Sequence, residues 1–287
     1  WAAFTRLCRE IGARGNQGAG TYSREQPDLE DIKRVEIIRG PASALYGSDA
    51  IGGVVAYTTK DPGDYMRDGK DVYASAKAAY SGANLQFSES FTGAVRSGNV
   101  EFMGIYTRRD GQEFQPAQTT VSPNPTTWYN NNFFAKLVIK PTEVDTIRLT
   151  GSYNQSGQST NMLSAVGTFP SLFARIYDEW GQDYTNTYRI SAQWEHNAPI
   201  GFVDRLSFLA YFNSVYTQAD TYTLRGGTTS VVPSNARASQ FYYTQNVSGA
   251  ELQMHTDRQI GGLDNFFTYG ASFSWTTTTR PRNRTQI

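Results

Sequence analysis

The sequence contains 287 residues, and its 26 Lys and Arg side chains balance 26 Asp and Glu side chains. With a formal net charge of zero, it has no overall field that would attract nucleic acid or a strongly charged partner. The single cysteine, Cys8, excludes an intrachain disulfide, and His196 and His255 show no spacing typical of metal ligands. No apolar run approaches the roughly 18 residues of a membrane-spanning helix.

Composition leaves two all-β classes open. Aromatic residues make up 14% of the chain, although its mean hydropathy is −0.51. Many Tyr and Phe residues in a polar sequence are typical of a transmembrane β-barrel, which alternates apolar with polar residues and carries aromatic girdles. A secreted β-sandwich or lectin-like sheet fits the composition equally well.

The first 71 residues fall into three parts. Residues 1–27 show no pattern, whereas residues 28–60 are predicted to form two strands around a turn of small residues at 41–53. A turn-rich linker follows at 61–71. Because no basic segment followed by an apolar run occurs at the start, we expect any signal peptide to lie upstream or to have been removed.

From residue 72 onward the sequence alternates with a period of two, the pattern of a sheet with two different faces. The clearest strand, 144–154, sets Arg148 and Thr150 on one face against Leu149 and Tyr153 on the other. About nine strands are predicted in this way, near 72–81, 85–96, 99–108, 131–140, 144–154, 187–196, 204–217, 240–256 and 266–276.

The lengths of the connections favour the barrel over the sandwich. Short turns near 97–98, 141–143, 197–203 and 258–264 alternate with long connections near 109–130, 155–183 and 218–238. Outer-membrane barrels place short turns on one side and long loops on the other, and a sandwich has no reason to do so. We therefore predict a transmembrane antiparallel β-barrel. An odd number of strands leaves two open edges, so the chain is expected to hold part of a larger barrel.

An ordered motif occupies residues 31–62, and the residues that carry it are Arg34, Glu36, Arg39, Gly40, Pro41, Tyr46, Gly47, Gly52 and Gly53. This motif resembles the end of the plug domain of TonB-dependent receptors. The resemblance implies that residues 1–66 form the C-terminal part of a plug domain and residues 67–287 the N-terminal part of a transmembrane barrel. A phosphate-binding loop fits less well, because the segment lacks the Gly-Lys-Ser/Thr ending and the GxGxxG spacing.

The glycines of the motif have a physical interpretation. Gly40 can adopt a positive φ, and Pro41 then fixes its own φ, which together end a strand. Gly47, Gly52 and Gly53 are predicted to let the backbone approach closely where a plug packs against a barrel wall.

The continuation of the motif at 55–65, and again at 106–113, is similar to the haem and haemoglobin branch of these receptors. That resemblance implies import of haem, or of another iron-containing ligand, across the outer membrane of a Gram-negative bacterium. The implied partners are the TonB energy-transducing complex, outer-membrane lipid, and haem, a haem protein or another iron ligand. No permanently bound cofactor and no nucleic acid are implied. No nucleophile–base–orienter set indicates an enzyme.

Two other functions stay open at this point. A cobalamin or ferric-siderophore receptor shares the core of the motif, so the core does not select the cargo. A non-transporting barrel remnant or an adhesin belongs to a different class, and the plug motif argues against it. The sequence also departs from the family, because residues 1–27 lack its usual Val-Asp-Gly stretch and the TonB box and later barrel motifs are absent.

Candidate ligand-binding residues are predicted in the connection at 155–183. It carries Met162, Phe169, Phe173, Tyr177 and Trp180, which are suited to a flat apolar ligand, and residues 170–181 are predicted to form a short helix. The alternative is that these side chains pack the loop onto itself. His196 and His255 are predicted at the ends of descending strands, beside short turns, as interface residues rather than iron ligands.

Overall fold

The computed structural model describes residues 27–40, 53–66, 69–114, 124–169, 174–229 and 231–286. Within these ranges the regular structure is β-strand, apart from three single 3-10 turns at Leu29–Asp31, Pro62–Asp64 and Leu163–Ala165. The all-β prediction is therefore confirmed. Over the same ranges, no helix combines the length and apolar character that crossing a bilayer requires.

A small two-stranded antiparallel sheet comes first in the chain. Its strands are β1 (Ile32–Arg39) and β2 (Gly53–Thr59). Gly53 has a φ of +140°, and a Cβ placed there would lie 2.6 Å from the carbonyl oxygen of Ile38. Glycine is required because a side chain would meet both an unfavourable backbone conformation and the backbone of β1. The close approach predicted for Gly53 therefore exists, but its partner is the neighbouring strand rather than a barrel wall.

Eleven further strands follow in the described part of the chain. They are β3 (Val72–Ser81), β4 (Gln86–Ser97), β5 (Val100–Gln112), β6 (Thr126–Ile139), β7 (Asp145–Asn161), β8 (Gly167–Phe169), β9 (Ala174–His196), β10 (Arg205–Gly226), β11 (Asn235–Ile260), β12 (Leu263–Thr279) and β13 (Arg282–Gln286). All except β8 and β13 form one continuous antiparallel sheet in chain order, from β3 to β12. These nine strands agree with the number predicted from the sequence. The short strands β8 and β13 pair with β9 and β11.

The two faces of this sheet differ as the period of two predicts. On the outer face, Phe102, Phe133 and Ile190 remain 46%, 49% and 60% exposed. On the inner face, Met103 and Ile105 are completely covered by the segment that follows β2. Large apolar side chains left exposed on one whole face are unusual for a protein in water but suit a face that contacts lipid.

An aromatic row crosses the outer face and divides an apolar zone from a polar one. Tyr106, Phe133, Tyr153 and Tyr188 are direct neighbours on β5, β6, β7 and β9, and the rings of Tyr153 and Tyr188 have centroids 4.8 Å apart. On the same outer face, the next row of residues toward the long connections is polar. It consists of Arg108, Asn131, Gln155 and Asn186. An apolar band bounded by aromatic residues is the outer surface expected of a transmembrane barrel.

Strand ends on the long-connection side differ from the sequence prediction. On the short-turn side the ends agree within four residues, the largest difference being 260 against a predicted 256 for β11. On the other side, β9 begins at 174 rather than 187 and β10 ends at 226 rather than 217. Strand β11 has 26 residues and so extends roughly 85 Å at about 3.3 Å per residue. A tilted strand crosses an apolar band of about 25 Å in roughly 11 residues, so these strands continue far beyond the band.

The short helix predicted at 170–181 is wrong for its described part. Residues 174–181 belong to β9, where they pair with β10, and the preceding residues 170–173 lie outside the described ranges. The backbone groups of this segment are thus satisfied by a neighbouring strand, and a helix would leave the end of β10 unpaired. As a result, Tyr177 and Trp180 lie on a strand rather than in a loop.

Candidate functional site

Two short segments connect the small sheet to the inner face of the large sheet. They are residues 28–31, before β1, and residues 60–66, after β2, and we call them the junction segments. Asp31 N donates to the carbonyl oxygen of Asp28 at 3.0 Å, which closes the first segment into a turn. Lys60 N then donates to the carbonyl oxygen of Asp31 at 2.9 Å, so the two segments are tied to each other.

The first junction segment is acidic and faces cations on the large sheet. Asp28, whose side chain is 3% exposed, accepts two hydrogen bonds from the guanidinium of Arg109 on β5, one of them 3.1 Å long from Nη2. Glu30 pairs with Lys77 on β3 at 2.8 Å. The paired oxygens of a carboxylate match the fork of an arginine, so the Asp28–Arg109 contact fixes both distance and orientation.

Asp31 is the most deeply buried carboxyl group of the first segment. It is 2% exposed, and its Oδ2 accepts a hydrogen bond from Asn132 Nδ2 on β6 at 2.9 Å. Its other oxygen, Oδ1, is buried without a hydrogen-bond partner among the described residues. The pKa of Asp31 is raised to about 7, chiefly by burial and also by nearby Asp28, while the bond from Asn132 opposes the increase.

The second junction segment binds a buried lysine. Lys136 on β6, whose side chain is 6% exposed, donates to Asp61 Oδ1 at 2.9 Å and to Thr59 Oγ1 at 2.7 Å. Arg148 on β7 lies 3.5 Å from the other oxygen of Asp61 and 2.7 Å from Glu195 on β9. Burial alone would raise the pKa of Asp61, but Lys136 and Arg148 together hold it below the usual range.

An apolar contact lies between the two charged clusters. Tyr65 and Met66, which follow the turn Pro62–Asp64, pack against Met103, Ile105 and Phe134 on the inner face of β5 and β6. Phe134 is 1% exposed. The junction therefore combines a small apolar core with ion pairs that join acidic groups of the junction segments to basic groups on the large sheet. Within the described residues, no cluster of His, Cys, Asp and Glu could hold a metal ion.

One segment of the chain matches a known family. Residues 11–54 match the family model described as the TonB-dependent Receptor Plug Domain. The matched segment contains β1 and the start of β2, the small sheet that the junction segments dock against the large one. This part of the chain is similar to the plug domain of the TonB-dependent receptors. The apolar outer face and the aromatic row of the large sheet are the features expected of such a receptor's barrel.

The chain is similar to proteins named for binding lactoferrin and haemoglobin. It is 38% identical over 114 residues to Lactoferrin-binding protein A of Neisseria meningitidis serogroup B, a match that covers 40% of this chain and 12% of that protein. It is 36% identical over 110 residues to Hemoglobin and hemoglobin-haptoglobin-binding protein B of Haemophilus influenzae, covering 38% of this chain and 10% of that protein. The aligned part thus spans about a tenth of the length of these relatives.

The fold is similar to that of a solved outer-membrane receptor. The structure of the ferripyoverdine receptor of Pseudomonas aeruginosa superimposes with a TM-score of 0.60 over 90% of this chain and 35% of that chain, at 14% identity. Identity at this level shows the fold alone. The barrel prediction is therefore confirmed, as is the resemblance to the haem and haemoglobin receptors.

The residues of the plug motif are only partly within the described ranges. Arg34 and Glu36 form an ion pair of 3.1 Å on β1, and Arg39 is the last residue of that strand. Gly40 follows with a φ of +99°, the left-handed conformation predicted for it. Pro41, Tyr46, Gly47 and Gly52 lie outside the described residues.

The predicted ligand-binding residues do not form one surface. Met162 is 5% exposed and donates its backbone N–H to Glu179 at 2.8 Å, so it packs beneath the connection. Phe169 ends β8, and Phe173 lies outside the described residues.

The two candidates on β9 have aromatic or cationic neighbours of their own. Tyr177 lies against Arg175, whose guanidinium carbon is 5.1 Å from the ring centroid. Trp180 stacks on Tyr222 at 4.2 Å and has the same strand parity as the outward Trp194, so it faces away from the lumen. A grip on one flat ligand would need these rings to converge, and they do not.

Both histidines lie where the sequence predicts them. His196 is the last residue of β9, and its Nδ1 lies 2.8 Å from Asp145 Oδ1 at the start of β7. His255, five residues before the end of β11, has its Nδ1 2.9 Å from Thr268 Oγ1. Each histidine therefore joins neighbouring strands on the short-turn side of the sheet.

Sequence analysis missed the junction residues. Two features of the sequence point to them. Arg109 and Lys136 are charged residues on the strand face predicted to line the lumen, and acidic residues cluster at 28–31 and 61–64, beside β1 and β2. These features mark the residues as buried or paired but do not give their partners.

Proposed function

We propose that this receptor imports haem or another iron-containing ligand across the outer membrane by a TonB-dependent rearrangement of its plug. The observation that carries the proposal is the docked plug sheet. A plug-family segment continues into β1 and β2, and the flanks of these strands are held by ion pairs inside a nine-stranded sheet with a lipid-type outer face. A barrel that transports nothing has no need of a plug held by separable contacts.

The class of cargo follows from the relatives. Two proteins similar to this chain are named for binding lactoferrin and haemoglobin, and both of those partners carry iron. We propose that residues 1–66 belong to the plug and residues 67–287 to the barrel, and that the TonB complex and outer-membrane lipid are the other partners. The receptor makes and breaks no bond in its cargo, so no enzymatic activity is proposed.

The cargo is proposed to enter from the side with long connections. The strands project well beyond the aromatic row on that side, and Met162, Phe169 and Tyr177 belong to the chain there. Trp180 faces outward, so its contribution would be limited to a large protein partner that reaches the outer wall. Arg34, Glu36, Arg39, Gly40, Pro41, Tyr46, Gly47, Gly52 and Gly53 are proposed to form the plug motif of this receptor.

Binding by the full-length receptor in detergent tests the cargo. Haem is titrated and its Soret absorption followed, and haemoglobin and lactoferrin are tested for binding to the immobilised receptor. A saturable Soret shift or specific retention of either protein supports iron acquisition. Normal folding without either signal would move a ferric siderophore or cobalamin to first place, and binding without energised uptake would favour an adhesin.

A further inference from the structure

The carboxyl group of Asp31 occupies an environment that its neighbours do not share. The other acidic residues of the junction meet cations directly: Asp28 pairs with Arg109, and Asp61 pairs with Lys136. Asp31 is 2% exposed, yet its single side-chain partner among the described residues is the neutral amide of Asn132. One of its oxygens is buried without a partner in the same part of the chain.

An ionised carboxylate is poorly accommodated in such a place. A buried charge is stable only when opposite charges or several hydrogen bonds replace the water it loses. Protonation removes the charge and leaves Oδ2 free to accept the bond from Asn132. The neutral acid therefore fits the docked position better than the anion does.

We propose that Asp31 is a proton-dependent positioning residue, whose neutral form holds the first junction segment against β6 and whose ionised form weakens that docking. This inference rests on the proposed function, because the docking matters for transport only if the plug moves. The receptor would then release its plug more readily in neutral or alkaline surroundings than in mildly acidic ones.

The surrounding charges set the range in which this happens. Asp28 on the same turn, Lys60 after β2 and Arg109 on β5 act on the carboxyl group, and Tyr65 in the second junction segment interacts with it. Glu30 on the same turn pairs with Lys77 on β3. Lys60 and Arg109 favour the anion, Asp28 opposes it, and burial exceeds each of them. The pKa of Asp31 in the docked state is accordingly raised from 3.8 to about 7.

The direction of the effect follows from linkage. Since the docked pKa lies above that of a solvated carboxyl, the docked state holds an extra proton between about pH 4 and pH 7. Docking is therefore strongest below this window and weakens as the pH rises through it. With a docked pKa of about 7, the docking equilibrium falls about tenfold between pH 6 and pH 8.

Hydrogen exchange of the full-length receptor measures the docking directly. The amides of Asp31 and Lys60 report it, because their hydrogen bonds close the first junction segment and tie it to the second. After correction for intrinsic exchange rates, their protection is expected to fall about tenfold from pH 6 to pH 8. Equal protection at both pH values would overturn the inference. Exchange does not depend on uptake, so failure of the proposed function would appear separately, as absent iron import.

Two substitutions and one control complete the test. Asp31→Asn removes the titration and is expected to give equal protection at both pH values. Asp71→Asn changes a carboxyl that is 68% exposed and should retain the native pH dependence. Should Asp31→Asn fail to fold, Asn132→Leu decides: loss of the bond that favours the anion should move the midpoint to higher pH, and an unchanged midpoint would refute the role of Asp31.

Discussion

The contact between Asp28 and Arg109 should be the strongest single ionic contact of the plug junction. We propose to break it with Arg109→Met, which keeps most of the apolar stem, and to remove the opposite charge with Asp28→Asn. The asparagine retains the oxygen that accepts the N–H of Glu30 at 2.9 Å, so the turn itself is preserved.

The exposure of the two side chains determines how much free energy of unfolding the plug should lose when the pair is broken. Asp28 is 3% exposed and Arg109 22%, so removal of the arginine leaves a carboxylate buried without its cation. Breaking a buried pair costs about 3–5 kcal/mol, and we expect about 3 kcal/mol because Arg109 still reaches solvent. The double variant leaves no unpaired charge. A double-mutant cycle over the unaltered receptor, the two single variants and the double variant should therefore give a coupling energy of about 2 kcal/mol.

Urea unfolding of the plug in the full-length receptor provides the assay. A spin label at Leu29→Cys, a position that is 79% exposed, reports when the junction turn leaves the wall, in a background without Cys8. The matched control is the Glu30–Lys77 pair in the same turn, where Lys77 is 59% exposed and the coupling should stay below about 1 kcal/mol. A coupling for Asp28–Arg109 no larger than that of the control pair would refute the reasoning.

Three further experiments test other parts of the structure. Gly53→Ala should destabilise the β1–β2 sheet by about 1–3 kcal/mol, seen as faster hydrogen exchange, and unchanged exchange would mean that the close approach is absent. Leu149→Arg places a charge in the apolar outer band and should cost about 2–4 kcal/mol in bilayer-based unfolding, whereas Thr150→Lys on the inner face should cost less; equal costs would contradict the assignment of the faces. His196→Ala and His255→Ala should leave haem affinity unchanged in spectral titrations. A large loss of affinity in either variant would show that its histidine is a ligand of the haem iron.

The strands and their two faces could be predicted because the membrane imposes them. Along each strand one side must be apolar to contact lipid and the other polar to face the lumen, so apolar and polar residues alternate in the sequence. The predicted alternation of Arg148 and Leu149 is observed on β7, and the strand ends near short turns agree closely. Beyond the aromatic row both faces contact water and the alternation fades, so the predicted start of β9 at residue 187 lies 13 residues after the observed start at 174.

The junction could not be predicted because its contacts join distant parts of the chain. Asp28 and Arg109 are separated by 81 residues and Asp31 and Asn132 by 101, and nothing local to either member specifies the partner. The pairing depends on how the plug sheet sits inside the wall. The aromatic residues at 155–183 illustrate the opposite error, since composition suggested one binding surface, whereas strand parity turns Trp180 away from the lumen.

Energised uptake measures the central claim most directly. Cells that lack their other iron receptors and express the full-length receptor are supplied with radioiron as haem, haemoglobin or iron-loaded lactoferrin, with and without a functional TonB system. We predict that iron accumulates from at least one of these sources only when TonB is active, and that Arg109→Met changes its rate. Iron accumulation that is independent of TonB, or none from any iron source while the receptor is folded in the outer membrane, would contradict the account.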